Sequence, residues 1–338
     1  MEPGWQVLVR ATTLARPLVS AVEEQIARRG AYPILQLSWE TLGGPFAREA
    51  PLELLAEPAP LLLRIWEECD AFVTILAPEN TREGSDLSDE RRALLQQRSE
   101  PVRRRQMAME APWVVCEYPT NAAAQEAGMT LAEYQEFVFG AVLLDWDSEA
   151  MRMSAIVEKF DAAEEVHIVG EGTDLRLSLA GRSGSIDDGH INMPGGEVFY
   201  SPVEDSAEGY VHFCEFPAMY YGHAVTGARF VFESGMIVDA TAATGEDFLL
   251  RTLDTDPGAR RLGELGIGCN PGIQRFTRIL GFDEKMDGTI HLAVGNSYTS
   301  TGGTNVSAIH WDMVKDLRSG GRLYADGTLV QADGVWQI

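Results

Sequence analysis

The sequence predicts an α/β N-terminal domain with a parallel sheet, followed by a β-rich α+β domain. Over about the first 140 residues, short apolar segments alternate with segments of helical periodicity, which is typical of a parallel sheet covered by helices. From Val166 onward the segments are short and extended, and turn sequences separate them. These turns are Glu233-Ser234-Gly235, Asp287-Gly288 and Asp326-Gly327. We therefore place the two domains at residues 1–150 and 151–338.

Each element of the first domain follows from its local pattern. Short apolar runs predict strands at 6–10, 32–37, 71–76 and 112–116. Helical spacing predicts helices at 14–29, 53–69, 86–109 and 131–144, and a further helix at 147–162 crosses the boundary between the two domains. Pro58 and Pro60 must break or kink the second helix, because proline removes a backbone donor. No G-x-G-x-x-G or G-x-x-x-x-G-K motif follows a strand, so nothing predicts dinucleotide or P-loop chemistry.

Composition and charge argue against several kinds of partner. The 51 acidic residues outnumber the 27 lysines and arginines and give a formal net charge of -24. This balance disfavours nucleic acid and anionic membrane surfaces, which both reward a basic face. No segment is apolar over the length that a membrane span needs, and the N-terminus lacks the pattern of a secretory signal. The four cysteines form no C-x-x-C pair, so we expect buried thiols in a reducing, cytoplasmic protein.

Two predicted strands near the end of the chain carry metal-binding residue types. In Thr289-Ile290-His291-Leu292-Ala293-Val294-Gly295 the apolar side chains alternate with His291. In Ala308-Ile309-His310-Trp311-Asp312-Met313, His310 and Asp312 alternate with apolar residues and therefore share one face of the strand. A histidine and a carboxylate two residues apart on one face can bind one metal ion. Two polar residues on an amphipathic strand are the ordinary alternative, so further ligands are needed.

Three glutamates supply candidate ligands. Glu197 follows a glycine-proline turn, Glu264 lies in a glycine-flanked run, and Glu284 precedes His291 by seven residues. Each one taken alone is more often a solvated charge. Six motifs stand in order along the chain: Gly172-Thr173-Asp174-Leu175, Pro194-Gly195-Gly196-Glu197-Val198-Phe199, Glu208-Gly209, Gly258-Ala259-Arg260-Arg261-Leu262-Gly263-Glu264, His291-Leu292-Ala293-Val294-Gly295 and Ser307-Ala308-Ile309-His310-Trp311-Asp312.

This series resembles the aminopeptidase T / aminopeptidase S family of two-metal, thermophilic metalloaminopeptidases, of which the chain looks like a short member. The resemblance is strong over residues 165–315 and weaker before them. It implies an enzyme that hydrolyses the N-terminal residue of small peptides, a homodimer, and a water that bridges two divalent metal ions. The implied ligands are Glu197, Glu264, Glu284, His291, His310 and Asp312. Four carboxylates and two neutral imidazoles would balance two divalent cations, and this mixture of ligands suits Zn²⁺, Co²⁺ or Mn²⁺.

The resemblance also implies catalytic roles. Tyr298 matches the family's active-site tyrosine and would donate a hydrogen bond to the oxyanion. Glu264 would bridge the ions or accept a proton from the water. The chain departs from the family's pattern in the longer spacing from Glu284 to His291 and in the shorter segment from Tyr298 to His310.

Two other readings stay open at this point. Two histidines and one carboxylate also form the facial triad of mononuclear non-haem Fe(II) oxygenases. The ring-cleaving 2,5-dihydroxypyridine dioxygenases resemble the chain at His310-x-Asp312, although that branch has histidine in place of Glu264 and no match to His291. The other reading is a catalytically silent relative that binds metal. Two ions per chain indicate the peptidase, and one iron per chain indicates the oxygenase.

Overall fold

The computed structural model of the chain describes residues 1–40, 44–107 and 109–337 and separates into two compact units. One unit comprises Met1–Val138 and His190–Met193, and the other comprises Phe139–Gly189 and Pro194–Ile338. The predicted domain ranges 1–150 and 151–338 stay predictions. Residues 41–43, 108 and 338 fall within those ranges, and 108 also within the helix predicted at 86–109, but they lie outside the described residues.

The first unit contains a parallel sheet with helices. Its strands are β1 Gln6–Thr12, β2 Tyr32–Ser38, β3 Ala71–Leu76 and β4 Trp113–Glu117. Its helical segments are α1 Arg16–Arg28, α2 Gly44–Glu49, α3 Leu52–Leu55, α4 Pro60–Glu68, α5 Asp89–Met107, α6 Asn121–Glu126 and the first part of α7 Leu131–Val142. Val7 and Val9 of β1 enter one apolar cluster, while Leu8 enters another. Both faces of the central strand are therefore covered, as expected for a parallel sheet.

The proline break predicted at 53–69 is confirmed. The chain forms α3, leaves helical geometry, and resumes with α4, whose first residue is Pro60. Proline is favoured at the first turn of a helix because the N–H it lacks would be unpaired there. In the first unit, two short helices, α2 and α6, have no counterpart in the predicted elements.

The second unit is rich in antiparallel strands. It contains the end of α7, α8 Trp146–Asp161, α9 Glu246–Leu253 and α10 Leu280–Asp283. The strands after β4 are β5 Glu165–Gly170, β6 Thr173–Ser178, β7 Ser185–Asp187, β8 Asn192–Met193, β9 Glu197–Tyr200, β10 Glu208–Phe213, β11 Ala218–Tyr220, β12 His223–Val225, β13 Ala228–Glu233, β14 Met236–Thr241, β15 Leu262–Gly268, β16 Thr289–Gly295, β17 His310–Asp316, β18 Arg322–Ala325, β19 Thr328–Ala332 and β20 Val335–Trp336. Of these, β8 belongs to the first unit and pairs in parallel with β4.

The sheet orders confirm the predicted fold class. The parallel sheet runs β2-β1-β3-β4-β8, and an eight-stranded antiparallel sheet runs β14-β13-β10-β6-β5-β18-β19-β20. A second antiparallel sheet of five strands has the order β17-β16-β15-β9-β7, and β11 pairs with β12. One apolar core in this unit includes Phe160 of α8, Phe230 of β13 and Trp311 of β17. The five-stranded sheet holds the candidate site.

Two expectations for the whole chain can be compared with the structure. Among the described residues, no helix combines the length and the apolar character that crossing a membrane requires. All four cysteines are free, as predicted. Cys69 and Cys269 are buried, but Cys214 is exposed, so the expectation of buried thiols is wrong there. Cys214 follows the end of β10, beyond the last residue that the strand places in the core.

Candidate metal centre

The five-stranded antiparallel sheet brings predicted ligands from distant parts of the chain to one face. Ala293 of β16 lies opposite Asp312 of β17 on one side and opposite Glu264 of β15 on the other. Residues directly opposite each other in antiparallel strands project to the same face. His310 and His291 lie two residues before Asp312 and Ala293, so the alternation of side chains puts them on that face as well.

Glu197 joins the same face from β9. It lies opposite Gly268, which is four residues after Glu264 on β15 and therefore has the same orientation. Sequence periodicity predicted that His310 and Asp312 share one face of β17. The pairing of four strands places Glu197, Glu264 and His291 on the same face of the sheet.

Five of the six predicted ligands form two overlapping clusters. The ligand atoms of Glu197, Glu264 and His291, here called the inner cluster, lie within 4.8 Å of one another. Those of Glu264, His310 and Asp312, the outer cluster, meet the same limit. Glu264 belongs to both, and its Oε1 lies 3.4 Å from His291 Nε2 while its Oε2 lies 3.1 Å from His310 Nε2. One carboxylate thus directs an oxygen atom into each cluster.

The remaining distances complete the clusters. His291 Nε2 lies 3.7 Å from Glu197 Oε2, and His310 Nε2 lies 3.5 Å from Asp312 Oδ1. Glu197, Glu264, His291 and Asp312 are buried, and His310 is partly exposed. The outer cluster is therefore the one that solvent reaches.

Backbone carbonyls fix both imidazole rings. His291 Nδ1 lies 3.0 Å from the carbonyl oxygen of Glu284, and His310 Nδ1 lies 2.8 Å from that of Asn296. A carbonyl oxygen can only accept, so each Nδ1 carries a hydrogen and donates it. In the neutral rings Nε2 then presents its lone pair to the cluster, which is the arrangement found where histidine binds a metal.

The residues present fit divalent cations. Asp312 Oδ1 is buried and accepts no hydrogen bond from any described residue. A buried carboxylate oxygen without a donor is costly, and a cation removes that cost. Glycine at position 266 provides space, since a Cβ there would lie 1.9 Å from His291 Nε2. Oxygen and imidazole ligands without a thiolate suit Zn²⁺, Co²⁺ or Mn²⁺.

The electrostatics of the site favour positive charge. Burial acts to lower the pKa of the two imidazoles, but the surrounding carboxylates raise the pKa of His291 to about 10 and that of His310 to about 12. Burial acts to raise the pKa of Glu264, but hydrogen bonds from both histidines lower it to about 2. The carboxylates therefore stabilise a proton or a metal cation at the Nε2 atom of each histidine. The two histidines in turn stabilise the ionised form of Glu264, which lies between them.

Tyr298 lies beside the outer cluster, in the loop after β16. Its ring centroid is 5.2 Å from that of His310 and 5.3 Å from that of Phe199. Its backbone N–H donates to Ser201 Oγ at 3.0 Å, and Ser201 is fully buried. Partial burial and the nearby carboxylates raise the pKa of Tyr298 well above its ordinary value. The phenol therefore keeps its proton and can act as a donor.

The sixth predicted ligand, Glu284, belongs to neither cluster. Its carboxylate Oε1 lies 2.5 Å from Lys285 Nζ, whose side chain is completely buried. Lys285 Nζ also lies 2.9 Å from Glu197 Oε1 and 3.6 Å from Asp187 Oδ2. Sequence reasoning missed Lys285 and Asp187. The available signal was the position of Lys285 directly after a predicted ligand and before the apolar Met286.

Comparisons with known proteins show the family of the chain. The sequence model of one family, described as thermophilic metalloprotease (M29), matches residues 1–336. Aminopeptidase 2 from Geobacillus stearothermophilus is 26% identical over 339 aligned positions, which cover 88% of the chain and 80% of that protein. Aminopeptidase T from Thermus thermophilus is 32% identical over 188 positions, which cover 48% of the chain and 46% of that protein.

Solved structures share the fold. The chain matches wild-type AmpT from Thermus thermophilus with a TM-score of 0.87 and 24% identity, covering 100% of the chain and 95% of that structure. It matches 2,5-dihydroxypyridine dioxygenase from Pseudomonas putida KT2440 with a TM-score of 0.56 and 17% identity, covering 98% and 91%. At these identities the likeness shows the fold alone. The family match and the aminopeptidases among the relatives confirm the predicted family and the predicted metalloaminopeptidase class of enzyme.

Proposed function

Because the chain belongs to the thermophilic metalloprotease (M29) family, we propose that it releases the N-terminal residue of small peptides with two divalent metal ions. The observation that carries this proposal is the position of Glu264. Its two carboxylate oxygens face different histidines at 3.4 and 3.1 Å, so a single residue joins two three-ligand clusters. A carboxylate shared in this way could offer one oxygen to each ion of a two-metal site.

The chain's own residues would hold the ions as follows. The inner cluster offers Glu197, Glu264 and His291, and the outer cluster offers Glu264, His310 and Asp312. When bound, divalent ions at such a site lower the pKa of water towards neutrality and polarise the scissile carbonyl. Zn²⁺, Co²⁺ and Mn²⁺ all suit these ligands.

The geometry of Glu264 bears on its role. Its Oε1 lies 3.4 Å from His291 Nε2 and its Oε2 lies 3.1 Å from His310 Nε2, so each carboxylate oxygen is positioned as a ligand of one cluster. Of the two roles predicted for Glu264, bridging the ions is therefore the one that we propose.

Tyr298 would stabilise the oxyanion that forms when water attacks the peptide carbonyl. Its raised pKa keeps the phenol protonated, so the hydroxyl donates at the moment when negative charge develops. The hydrogen bonds between its backbone and Ser201 fix the loop that carries it. Such a preorganised donor acts in the transition state more than in substrate binding.

An aminopeptidase assay tests the proposal. Protein reconstituted with Zn²⁺, Co²⁺ or Mn²⁺ should hydrolyse aminoacyl-p-nitroanilides but not the same compounds with an acetylated α-amine. Equal cleavage of free and acetylated substrates would exclude an exopeptidase, and no cleavage with any of the three metals would favour the silent relative. The homodimer and the cytoplasmic location stay predictions.

A further inference from the structure

Lys285 is the charged group whose surroundings the proposed mechanism leaves unexplained. It follows α10 in the chain, and its side chain is 0% exposed. Three carboxylates surround its ammonium group, at 2.5 Å from Glu284, 2.9 Å from Glu197 and 3.6 Å from Asp187. A lysine is almost never this deeply buried unless it is paired, so these contacts define its environment.

The carboxylate of Glu284 contacts Lys285 and is part of neither three-ligand cluster, although the charges of Asp312 and His291 act on it. Its side chain contacts Lys285, and its backbone carbonyl accepts the hydrogen bond from His291 Nδ1 at 3.0 Å. The residue therefore orients a metal-binding histidine through its main chain. Its carboxylate is paired with an ammonium group that Glu197 and Asp187 also contact.

Glu197 would contact two cations, the ammonium group of Lys285 and a metal ion in the inner cluster. Its Oε1 contacts Lys285 at 2.9 Å, and its Oε2 faces His291 Nε2 at 3.7 Å in the inner cluster. An ion in the inner cluster would share this carboxylate with a fixed positive charge, in a buried region where water screens the repulsion poorly. The outer cluster differs, because in the part of the chain that the structure describes the ion-pair partner of Asp312 is His310 alone.

We infer that the ammonium group of Lys285 keeps the carboxylate of Glu284 from acting as a metal ligand. We also infer that it makes the affinity of the inner cluster for a metal ion lower than that of the outer cluster. This inference rests on the proposed two-ion function, and it concerns how this chain holds the ions. It accounts for the position of Glu284 outside both clusters. At limiting metal the chain then carries one ion, at Glu264, His310 and Asp312, and the inner site fills second.

Metal titration of the full-length protein tests the inference without relying on activity. After removal of metal by a chelator, Co²⁺ is added and binding is followed by calorimetry and by the visible absorption of Co²⁺. The natural protein should bind two ions whose affinities differ by at least tenfold, and Asp312→Asn should remove the tighter step. Lys285→Met should strengthen the weaker step by tenfold or more.

Two further variants separate Lys285 from Glu284. Glu284→Gln should still bind two ions, whereas a stoichiometry of one would show that Glu284 is a ligand and would overturn the inference. The double variant Lys285→Met/Glu284→Gln removes Lys285 together with its nearest carboxylate, which leaves two buried carboxylates without the lysine instead of three and so reduces the risk of misfolding. It should also strengthen the weaker step, and an unchanged weaker step in the double variant would overturn the inference.

Lys315 provides a matched control. Its side chain is also 0% exposed and contacts a carboxylate, Glu215, at 2.5 Å, but it projects to the opposite face of the sheet from His291. Lys315→Met should leave both affinities within about twofold of the natural protein, and an increase equal to that of Lys285→Met would count against a specific role for Lys285. Failure of the proposed function gives a different result, namely two bound ions with the expected affinities but no hydrolysis of peptides.

Discussion

Metal binding should release protons from His291 and His310. His291 and His310 have pKa values of about 10 and about 12, so nearly all molecules carry both protons at pH 8. A histidine binds a metal only as the neutral ring, and each cluster contains one histidine. Loading with Zn²⁺ at pH 8 should therefore release at least about two protons per chain, and ionisation of bound water adds to this number.

The sign of the pH dependence follows from the same competition. Below pH 10 both imidazoles are mainly protonated, so each ion's affinity should rise about tenfold for each unit of pH from 8 to 9. Below pH 8 the slope for the inner site should steepen, because burial raises the pKa of Glu197 to about 7 even with Lys285 beside it. Calorimetry in two buffers with different enthalpies of ionisation counts the protons. Release of less than one proton, or affinity that does not change with pH, would refute this view of the site.

Three substitutions test individual parts of the mechanism. Glu264→Gln removes the charge of the residue shared by both clusters, and kcat/KM for an aminoacyl-p-nitroanilide should fall by more than about 100-fold while the circular dichroism spectrum stays unchanged. Tyr298→Phe removes only the phenol hydroxyl and should lower kcat by roughly 100-fold with little change in KM. Gly266→Ala places a methyl group 1.9 Å from His291 Nε2, so the ring must turn away and metal affinity, measured by competition with a chromophoric chelator, should fall roughly 10- to 100-fold.

For each substitution, one result would contradict the role proposed for the residue. Full activity in Glu264→Gln would remove the bridging role. A Tyr298→Phe variant with raised KM and unchanged kcat would show that the hydroxyl binds substrate equally in the ground state and the transition state. Unchanged metal affinity in Gly266→Ala would mean that the space beside His291 is not used to orient the ring.

Local sequence patterns were sufficient for much of the fold. Period-two alternation identified β16 and β17, and it correctly put His310 and Asp312 on the face opposite Ile309 and Trp311. Pro60 marked the helix break because the chemistry of proline is local. These features depend on residues close together in the chain.

The assembly of the site was beyond such reasoning, because it depends on strand pairing. Glu197 and Asp312 are far apart in the sequence, and the order of β17, β16, β15 and β9 in one sheet brings them to one face. Family resemblance supplied that information for the ligands. It could not supply the role of Lys285, since a lysine in the sequence is normally exposed and nothing local shows that three carboxylates surround this one.

Metal content measured together with hydrolysis tests the central claim most directly. Metal-depleted protein is titrated with Zn²⁺ or Co²⁺, and bound metal and cleavage of an aminoacyl-p-nitroanilide are recorded at each addition. The two-cluster geometry predicts two ions per chain at saturation and hydrolysis that appears as the second ion binds. Saturation at a single ion without hydrolysis would contradict the two-metal peptidase and favour the oxygenase reading of the same fold.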